Sequence, residues 1–151
     1  MAAIRIAVQR EPFDMADEAR AARAGGSDVG AVVTFTGICR DERGALEALE
    51  LEHYPGMAEA ELKRIAEDAA ARWPITAATI IHRYGRIVPG EDIVLVVTAS
   101  AHRAAALEAA AFLMDYLKTR APFWKKAHAR SGGGGWVAAK AGDDDAAERW
   151  K

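Results

Sequence analysis

The sequence predicts a mixed α/β domain in which strands and helices alternate along the chain. Runs of alternating or β-branched apolar residues, of which residues 30–37 are the clearest, are typical of strands. Between these runs, apolar residues recur every three or four positions, which is the spacing of one helix face. Glycine and proline mark the boundaries, and no internal repeat is present. These observations favour a single domain over residues 1–151.

Composition restricts the class of protein. The chain has 151 residues, of which 51% are hydrophobic and 28% are charged, as in soluble globular domains with one core. The net charge of −2 gives no overall signal for nucleic acid. No apolar run has membrane-spanning length, and we expect no signal peptide. A single cysteine, Cys39, excludes an internal disulfide and leads us to expect a cytoplasmic protein.

The first half of the chain predicts three strands and two helices. Asp14 has the residue type and position of a helix N-cap, with Asp17 three residues later. The strand at 30–37 is bracketed by glycines, and we expect it to be buried. Pro74 ends the second helix. The predicted strands cover residues 4–9, 30–37 and 48–54, and the predicted helices run from Asp14 to the glycines at 25–26 and from Met57 to Pro74.

The second half predicts two longer strands, one helix and a short final strand. The strands at 78–84 and 93–99 are joined by a turn-rich connector at 85–90. Ser100 is expected to cap the next helix, and Pro122 ends that helix because its ring removes a backbone donor. The buried face of this helix is expected to contain Leu107, Ala110, Met114 and Leu117. We then expect a mobile glycine-rich loop at 131–135, a strand at 136–140 and a flexible acidic tail at about 141–151.

The helix-to-strand corner around Pro122 is the strongest candidate site. Lys118 precedes the corner and Lys125 follows it, while residues 123–124 are the aromatic pair Phe-Trp. Two amines beside an aromatic wall suit an anion that must be shielded from water. A structural interpretation stays open, because basic residues are favoured in the last turn of any helix and Asp115 can pair with Lys118.

Three further cationic residues lie at element ends, where binding sites tend to be built. Arg40 follows a predicted strand, and His102 and Arg103 open the long helix. Free backbone N–H groups at a helix start attract an anion, and such an anion would explain a cation at that position. Pairing of Arg103 with Glu108 or Glu52 is the structural alternative and stays open.

Other reactive residues give weaker signals. His82 and Arg83 lie inside a predicted strand and are interpreted as structural. Cys39 has no second cysteine or catalytic dyad around it, so it is a poor candidate nucleophile even if Arg40 lowers its pKa. Four dispersed histidines and one cysteine lack the spacing of a metal site, and neither a phosphate-binding loop nor a dinucleotide fingerprint occurs. We therefore expect no metal and no cofactor.

Five blocks of sequence resemble a known family. They are residues 30–37 with Arg40, 51–57, 81–85, 100–103 and 114–125. In this order and spacing they resemble the large, catalytic subunit of molybdopterin synthase, over about residues 28 to 136. The resemblance implies an α/β hammerhead-type fold with a small additional antiparallel β subdomain.

The same resemblance implies a function and partners. It implies a homodimer at the centre of a heterotetramer, in which each copy binds a small ubiquitin-like sulfur carrier. The carrier's Gly-Gly tail would enter a pocket as a C-terminal thiocarboxylate. The implied reaction is transfer of sulfur to cyclic pyranopterin monophosphate, which forms the dithiolene of molybdopterin during molybdenum cofactor biosynthesis.

The resemblance also assigns residues to this reaction. Lys118 and Lys125 match the two catalytic lysines. The remaining matches are Arg40, His102 and Arg103 as substrate and phosphate contacts, some reaching across the dimer, and Phe35 and Met114 as residues that line the pocket. Ala127 departs from the family pattern, because an acidic residue is usual there, and this weakens any role for a carboxylate that orients Lys125.

The charges of the site suggest different roles for the two lysines. Crowded cations lower the pKa of a lysine, so Lys118 is the candidate general acid/base or transient acyl acceptor. Lys125 would stabilise the anionic charge that develops during sulfur transfer. Two alternatives compete: a non-catalytic dimeric module that binds a ubiquitin-like protein or an anionic metabolite, and a nucleic-acid binder that stacks bases on Phe123 and Trp124. The negative net charge and the short basic stretch argue against nucleic acid.

Overall fold

The computed structural model describes residues 1–24, 26–137 and 141–151, and this part of the chain contains eight strands and four helices. The strands are β1 (Ala3–Gln9), β2 (Ala31–Ile38), β3 (Leu46–His53), β4 (Ile75–Arg83), β5 (Gly85–Ile87), β6 (Asp92–Ser100), β7 (Phe123–Ala129) and β8 (Gly134–Val137). The helices are α1 (Met15–Ala22), α2 (Met57–Arg72), α3 (Arg103–Thr119) and α4 (Ala141–Glu148). Within the described residues, no helix combines the length and the apolar character needed to cross a bilayer.

The first sheet is covered by helices on both faces. Its strand order is β1-β4-β6-β2, with β1 parallel to β4 and the other pairs antiparallel. Successive residues of β4 point to opposite faces, as in any strand. Ile80 therefore packs into the main core with Leu62 of α2 and Phe112 of α3, whereas Ile81 packs on the other face with Ala22 of α1.

The second sheet is smaller and wholly antiparallel. Its strand order is β5-β3-β7-β8. Leu46 and Leu51 of β3 and Ile87 of β5 are buried in the same core as α2 and α3, so this sheet packs onto the rest of the fold. The predicted mixed α/β fold class is confirmed, and the small antiparallel sheet that the resemblance implies is present.

Local sequence signals place several boundaries as predicted. The carboxylate of Asp14 accepts a hydrogen bond from the backbone N–H of Asp17 at 3.0 Å and so caps α1. At the start of α2, the backbone N–H of Gly56 donates to the carboxylate of Glu59 at 2.7 Å. The helix before Pro122 ends at Thr119, and β7 begins at Phe123.

The expectation that residues 30–37 form a buried strand is wrong. In the described structure β2 pairs only with β6 and forms an edge of its sheet. Phe35 is 41% exposed and Ile38 is 54% exposed, so two large apolar side chains of this strand face outward. The β-branched pattern identifies a strand, but the topology decides whether a second neighbour covers it.

Helix α3 differs from the prediction at its start and on its buried face. It begins at Arg103 after an N-cap at His102, and the hydroxyl of Ser100 donates to the carbonyl of His102 instead of capping the helix. Leu107 is 54% exposed. The buried stripe follows the helical spacing from Ala106, and Leu107 lies about 100° away from it. The buried residues are Ala106, Ala109, Ala110, Phe112, Leu113, Tyr116 and Leu117.

The C-terminal region is more ordered than the sequence predicts. Gly134 and Gly135, which lie in the expected mobile loop, pair with β7 as part of β8. A Cβ atom at Gly134 would lie 1.9 Å from the carbonyl oxygen of Ala127, so this pairing requires glycine. The expected strand at 136–140 is present to Val137, and residues 138–140 lie outside the described residues.

Helix α4 lies where the sequence analysis expects a flexible acidic tail. The indole of Trp150, just beyond α4, packs edge-on against Trp73 at 5.4 Å and against Phe112 at 5.7 Å. Its N–H donates to the carboxylate of Asp115. Apolar surface on α2 and α3 therefore holds the end of the chain, which the run of aspartates does not indicate.

Candidate active site

A small cavity lies where the end of α3 meets the start of β7. We call it the lysine pocket, and its volume is about 120 Å³. Its lining residues come from β2, β4, β6, α3 and β7 and from the segments that adjoin them. They are Gly37, Ile38, His82, Ile93, Val94, Met114, Leu117, Lys118, Ala121, Phe123 and Lys125. The pocket thus joins two amines to a mainly apolar wall.

The corner at Pro122 brings the two lysines to one place. Lys118 lies in the last turn of α3, and Lys125 is the third residue of β7. Because side chains alternate along a strand, Phe123 and Lys125 share one face of β7, whereas Trp124 faces the other way. Trp124 instead contacts Tyr54 edge-on at 4.8 Å. The expected aromatic wall therefore consists of Phe123 alone.

Asp115 does not act as the structural partner of Lys118 that the sequence suggested. Its carboxylate pairs with Arg149 at 3.0 Å and accepts a hydrogen bond from the indole of Trp150. Arg120, at the end of α3, lies over the ring of Tyr116 at 5.5 Å. The end of α3 is thus held by the C-terminal segment and by Tyr116, and Lys118 lines the pocket.

His82 lines the pocket, although its place inside a predicted strand suggests a structural role. Its ring is stacked on Phe123, with 3.8 Å between centroids and 13° between planes. Its Nδ1 lies 2.9 Å from the carbonyl oxygen of Arg83. Burial, together with the charges of Lys125 and Lys118, lowers the pKa of His82 to about 4. The sequence signal for His82 is weak, because strand interiors more often hold structural histidines.

Arg83, by contrast, has the structural role that the sequence indicated. Its guanidinium donates to the carbonyl of Arg10 at 2.9 Å and to the carbonyl of Asp92 at 2.8 Å. It also lies 3.9 Å from the carboxylate of Glu91. These contacts anchor the end of β4, and with it the strand position of His82.

Four of the seven predicted site residues do not line the lysine pocket. Arg103 and Lys118 lie at opposite ends of α3, roughly 22 Å apart at 1.5 Å per residue. His102 and Arg103 are exposed, and so is Arg40 beyond the end of β2. Phe35, on β2, is also exposed. One chain therefore brings together Lys118, Lys125 and Met114 but leaves Phe35, Arg40, His102 and Arg103 outside the pocket.

The predicted structural partner of Arg103 is engaged elsewhere. The carboxylate of Glu108 accepts a hydrogen bond from the indole N–H of Trp73 at 2.6 Å. Glu52 lies on β3, opposite Trp124 in the second sheet. The structure thus gives Glu108 a role in the packing of α2 against α3.

Comparison with known proteins now assigns the chain to a family. A profile of the family described as MoaE protein matches residues 8–120. The chain belongs to the MoaE family. A molybdopterin synthase catalytic subunit from Mesorhizobium japonicum is 65% identical over 147 residues, which are 97% of this chain and 92% of that protein. The similarity therefore extends beyond α3 and through most of the C-terminal region.

Solved structures agree with this assignment. The molybdopterin biosynthesis MoaE protein from Burkholderia ambifaria matches with a TM-score of 0.82 and 47% identity, covering 99% of this chain and 98% of that one. A structure of molybdopterin synthase from Staphylococcus aureus matches with a TM-score of 0.79 and 30% identity, covering 87% of this chain and 96% of that one. Both the sequence and the fold of this chain are thus those of the MoaE family.

In this MoaE-family chain, Cys39 is unsuited to nucleophilic chemistry. Its side chain is buried, and burial raises the pKa of the thiol, as do the nearby charges of Glu42 and Glu91. Burial and the two carboxylates outweigh any lowering of this pKa by Arg40. Cys39 packs in the core as a small apolar residue.

If cavity volume alone were the criterion, the lysine pocket would not be the candidate active site. A cleft of about 470 Å³ lies beside β1, α1 and β4 and includes Arg5 and Thr79. The guanidinium of Arg5 is already paired with Glu18 at 2.9 Å. The lysine pocket is smaller, but its amines converge with a neutral imidazole, and no cluster of three or more potential metal ligands occurs in the described part of the chain. We therefore take the lysine pocket as the candidate active site.

Proposed function

We propose that this MoaE-family chain is the catalytic subunit of a molybdopterin synthase. It transfers sulfur from the C-terminal thiocarboxylate of a small ubiquitin-like carrier to cyclic pyranopterin monophosphate and so forms the molybdopterin dithiolene. The observation that carries the proposal is the convergence of Lys118 and Lys125 on one narrow apolar pocket. The naming of its relatives as molybdopterin synthase catalytic subunits supports the same reaction.

The size of the pocket favours a peptide tail as the group that enters it. Pockets that enclose whole small molecules usually exceed about 300 Å³. The lysine pocket has about 120 Å³, which suits the end of an extended chain without side chains. A Gly-Gly terminus meets this requirement, and the bulkier pterin would then lie at the mouth of the pocket.

The two lysines have different roles in this proposal. The thiocarboxylate sulfur first bonds to a side-chain carbon of the pterin and displaces an oxygen substituent there, which gives a thioester between carrier and pterin. Lys118 then either acts as general acid/base while water hydrolyses this thioester, or its amine attacks the thioester carbonyl. In the second case the acyl carbon–sulfur bond breaks, the sulfur leaves as a thiolate on the pterin, and the acyl group becomes a transient amide. Water then hydrolyses that amide and leaves the carrier with a carboxylate, while the sulfur stays on the pterin. Lys125 stabilises the negative charge on the oxygen and sulfur during transfer.

The separation between the two ends of α3 supports an assembly of more than one copy. His102 and Arg103 are too far from Lys118 to serve the same pocket within one chain. A homodimer at the centre of a heterotetramer brings them to the partner copy's pocket, where they bind the phosphate of the pterin. Exposed Phe35 and Ile38 on the edge strand β2 provide apolar surface for such contacts. We place this assembly in the cytoplasm.

A mass-spectrometric assay tests the proposed function. The protein is mixed with a thiocarboxylated Gly-Gly carrier and the pterin precursor, and we expect the precursor to gain two sulfur atoms. A non-catalytic binding module would bind the carrier but leave the mass of the precursor unchanged, and that result would exclude the proposal.

The variant Lys118→Ala tests the assignment of the catalytic amine. We expect product formation to fall at least about 100-fold, because a general acid/base or acyl acceptor is lost, while the carrier still binds. The control is Lys63→Ala, since Lys63 is exposed on α2 and pairs with the exposed Glu67 at 3.9 Å. Near-normal turnover by Lys118→Ala would exclude the role given to Lys118.

A further inference from the structure

The lysine pocket contains one strong hydrogen-bond acceptor among its side chains. Lys118 and Lys125 can donate when protonated, and the remaining lining side chains apart from His82 are apolar, with only the weakly accepting sulfur of Met114. An extended peptide that enters such a pocket brings donors as well as an anion. The amines can pair with its anion, but its main-chain N–H groups need an acceptor.

Hydrogen bonding fixes which nitrogen of His82 is available. Nδ1 lies 2.9 Å from the carbonyl oxygen of Arg83, and a carbonyl oxygen only accepts, so Nδ1 carries a proton. In the neutral ring the lone pair is then on Nε2. Among the described residues, the one buried side-chain atom without a hydrogen-bond partner is Nε2 of His128. Nε2 of His82 is not such an atom, and the ring of His82 lines the pocket, so Nε2 is the acceptor that this ring can offer to a ligand there.

Packing holds the ring of His82 in this orientation. Phe123 covers one face with its ring nearly parallel, and the Nδ1 hydrogen bond resists rotation about the side-chain torsions. The acceptor is thus fixed before any ligand arrives, which lowers the entropy cost of binding.

Charge keeps the ring neutral. Burial has the largest effect and the charges of Lys125, Lys118 and His53 add to it, while the hydrogen bond to Arg83 opposes them; the pKa of His82 is lowered to about 4. Near neutral pH the lone pair on Nε2 therefore stays free to accept. A histidine with an ordinary pKa would be partly protonated under mildly acidic conditions and would then only donate.

We propose that Nε2 of His82 accepts a hydrogen bond from the main-chain N–H of the last residue of the carrier tail. This inference rests on the proposed function, because it presupposes a Gly-Gly tail in the lysine pocket. The tail's terminal anion pairs with the amines while its adjacent N–H is satisfied by the imidazole. His82 is then a recognition residue, which selects a peptide-borne anion over a free one.

An amide-to-ester change in the carrier tests this contact without altering the protein. The last glycine of the tail is replaced by glycolic acid, which turns the N–H into an ester oxygen with little change in shape. The carrier is used in its carboxylate form, so that binding is measured by titration calorimetry without turnover. We expect the ester to bind wild-type protein about tenfold more weakly, as for the loss of one buried hydrogen bond.

The variant His82→Phe completes a double-mutant cycle. Phenylalanine keeps the stack on Phe123 but removes Nε2, so we expect it to weaken binding of the normal tail about tenfold and to bind both tails equally. His82→Asn, which restores an acceptor, should recover part of the preference for the amide tail. A melting curve of each variant checks that it is folded.

The outcomes separate this inference from the function on which it rests. The inference is overturned if wild-type protein binds both tails equally. It is also overturned if the affinity losses from the ester tail and from His82→Phe multiply when the two changes are combined, because His82 then does not contact the tail N–H. If sulfur transfer nonetheless proceeds, the proposed function stands alone. If wild-type protein neither binds the normal carrier nor transfers sulfur, both proposals fall.

Discussion

At the scale of single residues, position in the fold decides chemistry that residue type leaves open. His82 and Cys39 both carry reactive groups, and both side chains are buried. Burial lowers the pKa of His82 to about 4 and raises the pKa of the Cys39 thiol, so each group is held in its neutral form. Of the two, only His82 lines the lysine pocket, so only its neutral form can act on a ligand there.

The lowered pKa of His82 predicts a loss of stability in acid. The unfolded chain binds a proton at this histidine near its ordinary pKa of 6.5, whereas the folded protein resists protonation until the pH approaches 4. The contribution of the neutral ring to stability is complete above 6.5 and disappears as the pH falls through 4. Between about pH 7.5 and pH 5, we expect the free energy of unfolding to fall by about 2 kcal/mol from this group.

Urea denaturation at the two pH values measures this effect. His82→Phe is the control, because it keeps the ring stack but cannot titrate. The pH-dependent loss should be about 2 kcal/mol smaller in this variant than in the wild type. Equal losses in both proteins would show that His82 does not titrate with a lowered pKa.

At the scale of elements, the corner between α3 and β7 explains how a helix residue and a strand residue share one pocket. Pro122 ends the helix, and alternation along β7 then places Phe123 and Lys125 inward. The same alternation directs Trp124 to the opposite face of the sheet. A sequence reading that treats Phe123 and Trp124 as one aromatic wall overlooks this change from helical to strand periodicity.

The far end of the chain stabilises the helix that carries Lys118. Trp150 packs on Trp73 and Phe112, and the carbonyl of Trp150 accepts a hydrogen bond from the guanidinium of Arg72 at 2.6 Å. We expect Trp150→Ala to lower the free energy of unfolding by about 2 kcal/mol, since a half-buried indole and its hydrogen bond to Asp115 are lost. Urea denaturation followed by circular dichroism measures the change.

Trp136→Ala provides a matched control for this element. Trp136 lies on β8 and is 61% exposed, so its removal should change the free energy of unfolding by less than about 0.5 kcal/mol. Equal effects of the two substitutions would contradict a stabilising role for the C-terminal segment.

At the scale of the whole molecule, the proposed function requires an active site that is shared between two copies of the chain. This predicts that inactive variants complement each other when their defects lie on different copies. We expect Arg103→Ala and Lys118→Ala each to lose activity alone. After subunit exchange at equal concentration, half of the dimers are mixed, and each mixed dimer has one intact site, so about a quarter of wild-type activity should return.

A second pair of variants controls for this experiment. Lys118 and Lys125 line the same pocket of one chain, so mixing Lys118→Ala with Lys125→Ala leaves no intact site in any dimer. This mixture should stay inactive under the same exchange conditions. Failure of the first mixture to recover, with exchange verified by native mass spectrometry, would argue against a site shared across copies.

Much of the fold follows from the sequence because its signals are local. The Asp14 cap, the Pro122 stop and the alternation of β1 depend on residues a few positions apart, and each is found where predicted. The exposed Leu107 was misassigned because small alanines, among them Ala106 and Ala109, occupy the buried stripe of α3. Alanine fits a close helix-to-sheet contact, but it gives a weak periodic signal.

Only part of the candidate site could be predicted from the sequence. Lys118 and Lys125 stand out in sequence because they flank a proline corner. Met114 lies one helical turn before Lys118, on the same helix. His82 lies on a strand far away in sequence and reaches the pocket only because β4 passes beneath Phe123. Such a contact leaves no pattern in the neighbouring residues.

The sequence by itself determined the order of the longer strands and helices, the family, and the pair of lysines at the corner, since caps, periodicity and motif spacing act over short distances; β5 and α4 were not predicted. The tertiary structure alone decided that β2 is an edge strand, that Trp150 docks on α2 and α3, and that a neutral His82 lines the same pocket as two lysines. These features arise from contacts between residues far apart in the chain, and burial and charge at such contacts depend on every element that surrounds them.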